Sequence, residues 1–90
     1  MEASEVLGKI KEIIAHVGNL KIGQIDDGAD LRDDLNLDSL SLLEIGVDID
    51  YAFQLGIPDL ENRLAKLRTL PEVVDLVQKL SAEKTVEVVA

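Results

Sequence analysis

The sequence predicts an all-α fold: a small four-helix bundle, three longer helices and one short, with a long loop between helices 1 and 2. Three observations lead there. Apolar residues recur at helical three-and-four spacing in three separate stretches. The breaks between those stretches are rich in Gly, Pro and Asp. And 90 residues that are 47% apolar, with no cysteine, must close one efficient core without disulfides or a thiolate metal site. A single domain over residues 1–90 is expected, with its core at about 4–80.

The first helix carries Val6, Ile10, Ile13, Ile14 and Val17 on one face, with Ser4 as a candidate N-cap and Gly18 as its stop. Residues 19–37 read as loop, because Gly23, Asp26, Asp27, Gly28 and Asp30 break any period. Ile22, Ile25, Leu31, Leu35 and Leu37 would pin that loop to the core, and a loop this long in a small domain points to function. A second helix spans about Ser39–Phe53 and has two apolar stripes. Leu42, Ile45, Ile49 and Phe53 form one. Leu40, Leu43 and Val47 form the other, with Glu44, Asp48 and Tyr51 between them on one side. One stripe suffices for a core; the second is either covered by another helix or exposed for a partner, and the pattern alone favours covering. Gly56 and Pro58 end this segment, and a short helix follows at 59–66. Thr69 caps the last helix, with Pro71 in its first turn and Val73, Val74, Val77 and Leu80 as its stripe. Residues 82–90 have strand-like composition but nothing to pair with, and read as a flexible tail. No internal repeat is evident.

Composition excludes several functions. Nine basic and eighteen acidic residues leave a charge of −9, which opposes nucleic acid and anionic membranes and favours basic partners. Residues 26–50 hold nine acids against the single base Arg32, a local charge of −8. That is either a solvated acidic loop or a docking face. Tyr51 and Phe53 are the only aromatics, too few for base stacking. Apolar runs of two or three residues cannot span a bilayer. The acidic start, Met-Glu-Ala-Ser-Glu, lacks an apolar stretch, so no signal peptide is expected. A soluble, cytoplasmic, monomeric and free-standing chain is expected. No metal is expected: Asp26-Asp27-Gly28 lacks the spacing and terminal Glu of a calcium loop, and His16 reads as a surface residue near a helix end. With no base near any serine, no phosphate loop and no HExxH, the chain is not expected to be an enzyme, and no catalytic residue is assigned.

What remains is Asp33-Asp34-Leu35-Asn36-Leu37-Asp38-Ser39-Leu40, a serine where an acidic loop enters a helix. Capping explains it locally: Asp38 or Ser39 can accept from the orphan N–H groups, and Ser41 with Glu44 fits a capping box. The stretch also closely resembles the attachment site of acyl carrier proteins, an acid and Asp-Ser-Leu followed by an acidic helix. Glu44, Phe53, Ile57-Pro58-Asp59 and Leu67-Arg68-Thr69-Leu70 match that family's later landmarks in order. The resemblance covers about residues 4–80.

The resemblance implies that Ser39, flanked by Asp38 and Leu40, carries 4′-phosphopantetheine, installed from coenzyme A by a Mg-dependent phosphopantetheinyl transferase. The working thiol would then belong to the prosthetic group, consistent with a chain lacking cysteine. A phosphodiester at a helix start would also lie near unsatisfied N–H groups and the positive end of the dipole. By the same resemblance, Leu40, Leu43 and Val47 are the exposed stripe, read together with Glu44 and Asp48 by acyl-loading and acyl-processing enzymes with basic docking surfaces. Ile45, Gly46, Ile49, Phe53, Ile57 and Leu67 are the implied acyl-chain pocket. The implied role is a carrier in fatty-acid, polyketide or related lipid synthesis. An aminoacyl or D-alanyl carrier, or an acidic adaptor without a prosthetic group, is the alternative.

Four departures from the family pattern stand out. Asn36 replaces a usual glycine, Gly46 interrupts the second helix, Tyr51 replaces an acid, and the third-helix region is about two residues longer with Arg63, Lys66 and Arg68. Gly46 would either enlarge the acyl cavity or allow close helix packing. Together these changes suggest a specialised carrier.

Overall fold

The computed structural model describes residues 2–89, and side chains as far as residue 82. Four helices follow in order: α1 (Ala3–Gly18), α2 (Ser39–Phe53), α3 (Leu60–Ala65) and α4 (Leu70–Val89), with one 3₁₀ turn at Ile22–Gln24. Among the described residues there is no strand, only an isolated bridge between Asp30 and Thr69. The all-α bundle is as expected, and α2 has the expected bounds.

α1 starts one residue before the expected cap. Glu2 holds the N-cap position without a side-chain bond, so Ser4 lies inside the first turn. At the other end Gly18 is the last helical residue, and Asn19 adopts the left-handed conformation (φ 55°) that closes the helix. Asparagine tolerates that region better than other non-glycine residues. Val6, Ile10 and Ile14 are buried, and Ile13 and Val17 flank them half-buried.

α3 packs chiefly on α2, and α1 packs on both α2 and α4. The inner stripe of α2 enters the core: Leu42, Ile45 and Ile49 are buried and Phe53 packs against them. The long loop is fastened to the same core by Ile25, Ala29, Leu31, Leu35 and Leu37, all buried. Of the five residues expected to pin it, only Ile22 faces solvent. The loop is also tied to the start of α4: the Leu31 N–H donates to the Arg68 carbonyl at 2.9 Å, and the Leu70 N–H donates to the Ala29 carbonyl at 2.9 Å. The Lys11 ammonium pairs with Asp27 and holds it to α1.

Thr69 precedes α4 as expected. Its N–H donates to Glu72 Oε1 at 3.1 Å and its hydroxyl to the same oxygen at 3.0 Å. Val73, Val74, Val77 and Leu80 are buried. The helix runs to Val89, beyond the expected end near residue 81. The expected tail over 82–90 therefore begins within α4; its side chains after residue 82 lie outside the described residues.

Candidate functional site

The site is built by two short-range devices in succession. The first is a single helical turn over residues 30–36. Asp30 opens it: its Oδ1 accepts from the N–H groups of Arg32 (3.0 Å) and Asp33 (2.8 Å), while its own N–H donates to Asp34 Oδ2 at 2.8 Å. This is the reciprocal logic of a capping box, with acids at both positions. Asn36 closes the turn at φ 55°. Its N–H donates to the Arg32 carbonyl at 3.0 Å, and the Leu37 N–H reaches back to the Leu31 carbonyl at 3.1 Å. The first of these is the bond of the αL helix-ending motif, which wants a left-handed residue at this point. Asn36 thus performs the conformational task expected of a glycine there.

The second device is the cap of α2. Asp38 is extended (φ −94°, ψ 177°), and its Oδ1 accepts from the Ser41 N–H at 2.8 Å. Of the sequence alternatives for this cap, the structure uses Asp38, not Ser39 or the Ser41–Glu44 box. The consequence is chemical. Ser39 is the first residue of α2, exposed, and relieved of capping. Its Oγ accepts one bond from the protein, from Arg32 Nη2 at 3.2 Å. The N–H groups of Ser39 and Leu40 have no protein acceptor among the described residues, as expected for the first turn of a helix.

The electrostatics follow from these bonds. The Asp38 carboxyl is held below the usual carboxylate range, first by the Ser41 N–H, then by the Ser41 hydroxyl, with a smaller contribution from the Arg32 charge. Asp30 is also held low, first by the Asp33 N–H and then by the Arg68 guanidinium. Arg68 Nε sits 2.8 Å from Asp30 Oδ2, and Nη2 sits 3.3 Å from Asp33 Oδ2. The same contacts raise the Arg68 pKa further above its ordinary value. Arg68 is therefore engaged in holding the loop, while Arg32 reaches the serine.

The outer stripe of α2 runs from this point. Leu40 is 75% exposed, Val47 is 52% exposed, and Leu43 is half-buried. The residue pattern alone favoured covering this stripe; no other helix covers it among the described residues. Glu44 is exposed and Asp48 half-exposed beside it. Asp50 has a different task, accepting from the Gly56 N–H at 2.8 Å and so holding the turn after α2. Gly56 there has φ 63°.

The residues expected to line an acyl pocket fall into two groups. Ile45, Gly46 and Ile49 are buried, while Phe53, Ile57 and Leu67 are half-buried against the same core. Gly46 is not a widening of that space. A Cβ placed on it would lie 2.6 Å from the Glu61 Cα and 3.0 Å from the Glu61 Cβ. The missing side chain is occupied by the backbone of α3, so of its two expected roles Gly46 serves close helix packing. Asp30, Arg32 and the tie through Arg68 were not singled out from the sequence. The one signal for Arg32 was its place as the lone base among nine acids.

The residues present fit a phosphodiester on Ser39: an exposed hydroxyl, two unpartnered N–H groups and a guanidinium converge there. Among the described residues no cluster of His, Asp or Glu could hold a metal ion, and no helix is long and apolar enough to cross a membrane.

Comparisons with known proteins agree with this geometry. Residues 8–77 match the family model described as the phosphopantetheine attachment site. The chain is 39% identical over 79 residues to the meromycolate extension acyl carrier protein of Mycobacterium leprae, covering 88% of this chain and 67% of that one. It is 33% identical over 79 residues to an acyl carrier protein of Rhodococcus erythropolis, covering 88% and 85%. It is 38% identical over 77 residues to an acyl carrier protein of Rubrobacter xylanophilus, covering 86% and 93%. An acidic loop leading into a helix capped by Asp38, an exposed serine at the first position of that helix and this similarity along most of the chain lead to one conclusion: the chain belongs to the acyl carrier protein family, carriers rather than enzymes, which bear a covalently attached 4′-phosphopantetheine.

Proposed function

We propose that Ser39 is the attachment residue and that the chain shuttles acyl groups, as thioesters on the arm, among enzymes of fatty-acid-type lipid synthesis in the cytoplasm. The observation that carries this reading is the exposed Ser39 hydroxyl at the first position of α2, with Asp38 doing the capping. In the attachment step the Ser39 oxygen forms a new P–O bond as the pyrophosphate bridge of coenzyme A breaks. Adenosine 3′,5′-bisphosphate leaves, and the hydroxyl proton passes to a base of the phosphopantetheinyl transferase. Ser39 needs no base of its own, which suits a site without one.

The docking face for the transferase and for acyl-processing enzymes is Leu40, Leu43 and Val47, bordered by Asp38, Glu44 and Asp48. Basic partner surfaces would meet these acids in exposed pairs worth about 0–1 kcal/mol each, giving brief, salt-sensitive encounters suited to a shuttle. The proposed acyl contact is the seam of α2 with α3, lined by Ile45, Ile49, Phe53, Ile57 and Leu67. Gly46 lies at its floor, so an acyl chain entering there must separate a pair of helices in backbone contact. The similarity to meromycolate extension carriers supports lipid synthesis as the setting.

Intact mass after incubation with coenzyme A, Mg²⁺ and a broad-specificity transferase tests the attachment. The native chain should gain one phosphopantetheine, and Ser39→Ala should gain none. A folded native chain that gains nothing would sink the carrier reading. A gain surviving in Ser39→Ala would move the assignment to Ser41.

A further inference from the structure

Arg32 is the one base within residues 26–50. Acids surround it in sequence, yet among the described residues its guanidinium forms no ion pair with any of them. It donates instead to Ser39 Oγ at 3.2 Å. The residue that carries this guanidinium is itself anchored. The Arg32 backbone is held from both sides, its N–H by Asp30 Oδ1 at 3.0 Å and its carbonyl by the Asn36 N–H at 3.0 Å. The hydrogen-bonded turn of residues 30–36 places this residue beside the start of α2, where its guanidinium reaches Ser39. Arg68, the other guanidinium near the loop, is occupied by Asp30 and Asp33.

Attachment of the arm changes what lies beside Arg32. It converts a neutral hydroxyl into the bridging oxygen of an anionic phosphodiester, placed next to Asp38 and close in the chain to Asp33 and Asp34. That anion needs an opposing charge. A guanidinium already within hydrogen-bond distance of the bridging oxygen is also within reach of the non-bridging oxygens. Its planar fork can take two of them at once, which an ammonium cannot.

We propose that Arg32 is a positioning residue for the prosthetic group: it orients Ser39 Oγ in the unmodified chain and binds the phosphodiester once the arm is attached. This rests on Ser39 being the attachment residue. A purely structural role is a weak competitor, because the side chain is exposed and this hydrogen bond is its sole contact of that kind among the described residues. Its removal should leave the fold intact.

The test compares wild type, Arg32→Ala and Arg32→Lys, each ¹⁵N-labelled and taken to the holo form, with conversion confirmed by intact mass. The readouts are the ³¹P resonance of the holo chain and the Arg32 guanidinium ¹⁵N resonances before and after conversion. The guanidinium resonances should move on conversion of the wild type. The ³¹P resonance should shift in Arg32→Ala and be only incompletely restored by lysine, while the unmodified forms keep the same circular dichroism. Mass gain with an unmoved guanidinium and identical ³¹P resonances would overturn the Arg32 role and leave the attachment assignment standing. No mass gain in the wild type would overturn both.

Discussion

Asp38 shows how one residue serves both fold and function. By taking the cap of α2 it keeps the neighbouring hydroxyl out of the cap, and its own carboxyl is held low by the bonds that make the cap. This gives stability a pH dependence of definite sign. The folded pKa lies below the unfolded value of about 3.9, so the contribution is fully present above about pH 5 and fades as pH falls through the folded pKa. Asp30, held low by the Asp33 N–H and Arg68, acts in the same direction. Asp38→Asn should therefore lower the melting temperature at pH 7 and flatten the acid limb of the stability curve. Equal losses at pH 7 and pH 2.5 would contradict this account. The cap could be read from the sequence as a choice between Asp38 and Ser39. The choice itself could not, because both side chains lie within local reach of the same N–H groups and only the backbone angles select one.

α2 is the element on which the molecule's two demands meet. Ile49 is 0% exposed while Val47, two residues away, is 52% exposed, so the two stripes separate stability from recognition. Ile49→Ala should cost about 2–5 kcal/mol in urea unfolding. Val47→Asp should leave stability within about 0.5 kcal/mol, yet lower the transferase kcat/KM about tenfold, the equivalent of roughly 1.4 kcal/mol of lost contact. A Val47→Asp chain that is modified as fast as wild type would remove Val47 from the docking face. Gly46 makes the sharper test. In an exposed helix interior Gly→Ala stabilises by about 1 kcal/mol. Here the new Cβ would lie 2.6 Å from the Glu61 Cα, and backbone cannot give way as a flexible side-chain tip does. Gly46→Ala should instead destabilise by about 1–3 kcal/mol, seen as a lower urea midpoint, and loosen α3 on α2, seen as faster amide exchange over residues 60–65. A stabilised variant would mean that α3 moves aside freely. Both the glycine and its odd place in a helix are visible in the sequence; its partner, fifteen residues downstream, is not.

At the scale of the whole molecule the dominant facts are a charge of −9 and its uneven placement, −8 of it between residues 26 and 50. The loop that carries most of this charge is held to the start of α4, through Arg68 and the backbone bonds at Ala29 and Leu31, and runs directly into α2, so its acids lie on both sides of Ser39 in the chain. Association with a basic transferase should therefore slow by about tenfold or more between roughly 0.01 M and 0.5 M salt in stopped-flow measurements. A flat profile would show that apolar contact alone governs the encounter. The sequence by itself determined the helical class, the bounds of α2, the acidic face and the serine, because each is local: hydrophobic period, caps, breakers and charge are written in residues close along the chain. Only the tertiary structure decided which stripe of α2 stays bare, that Asn36 closes a turn, that Arg68 is engaged by Asp30 and Asp33 while Arg32 reaches Ser39, and that Gly46 receives the backbone of α3. Most of these contacts join residues far apart in sequence or depend on backbone angles that several residue types can adopt, and the closing of one core around them is what makes a single arrangement win.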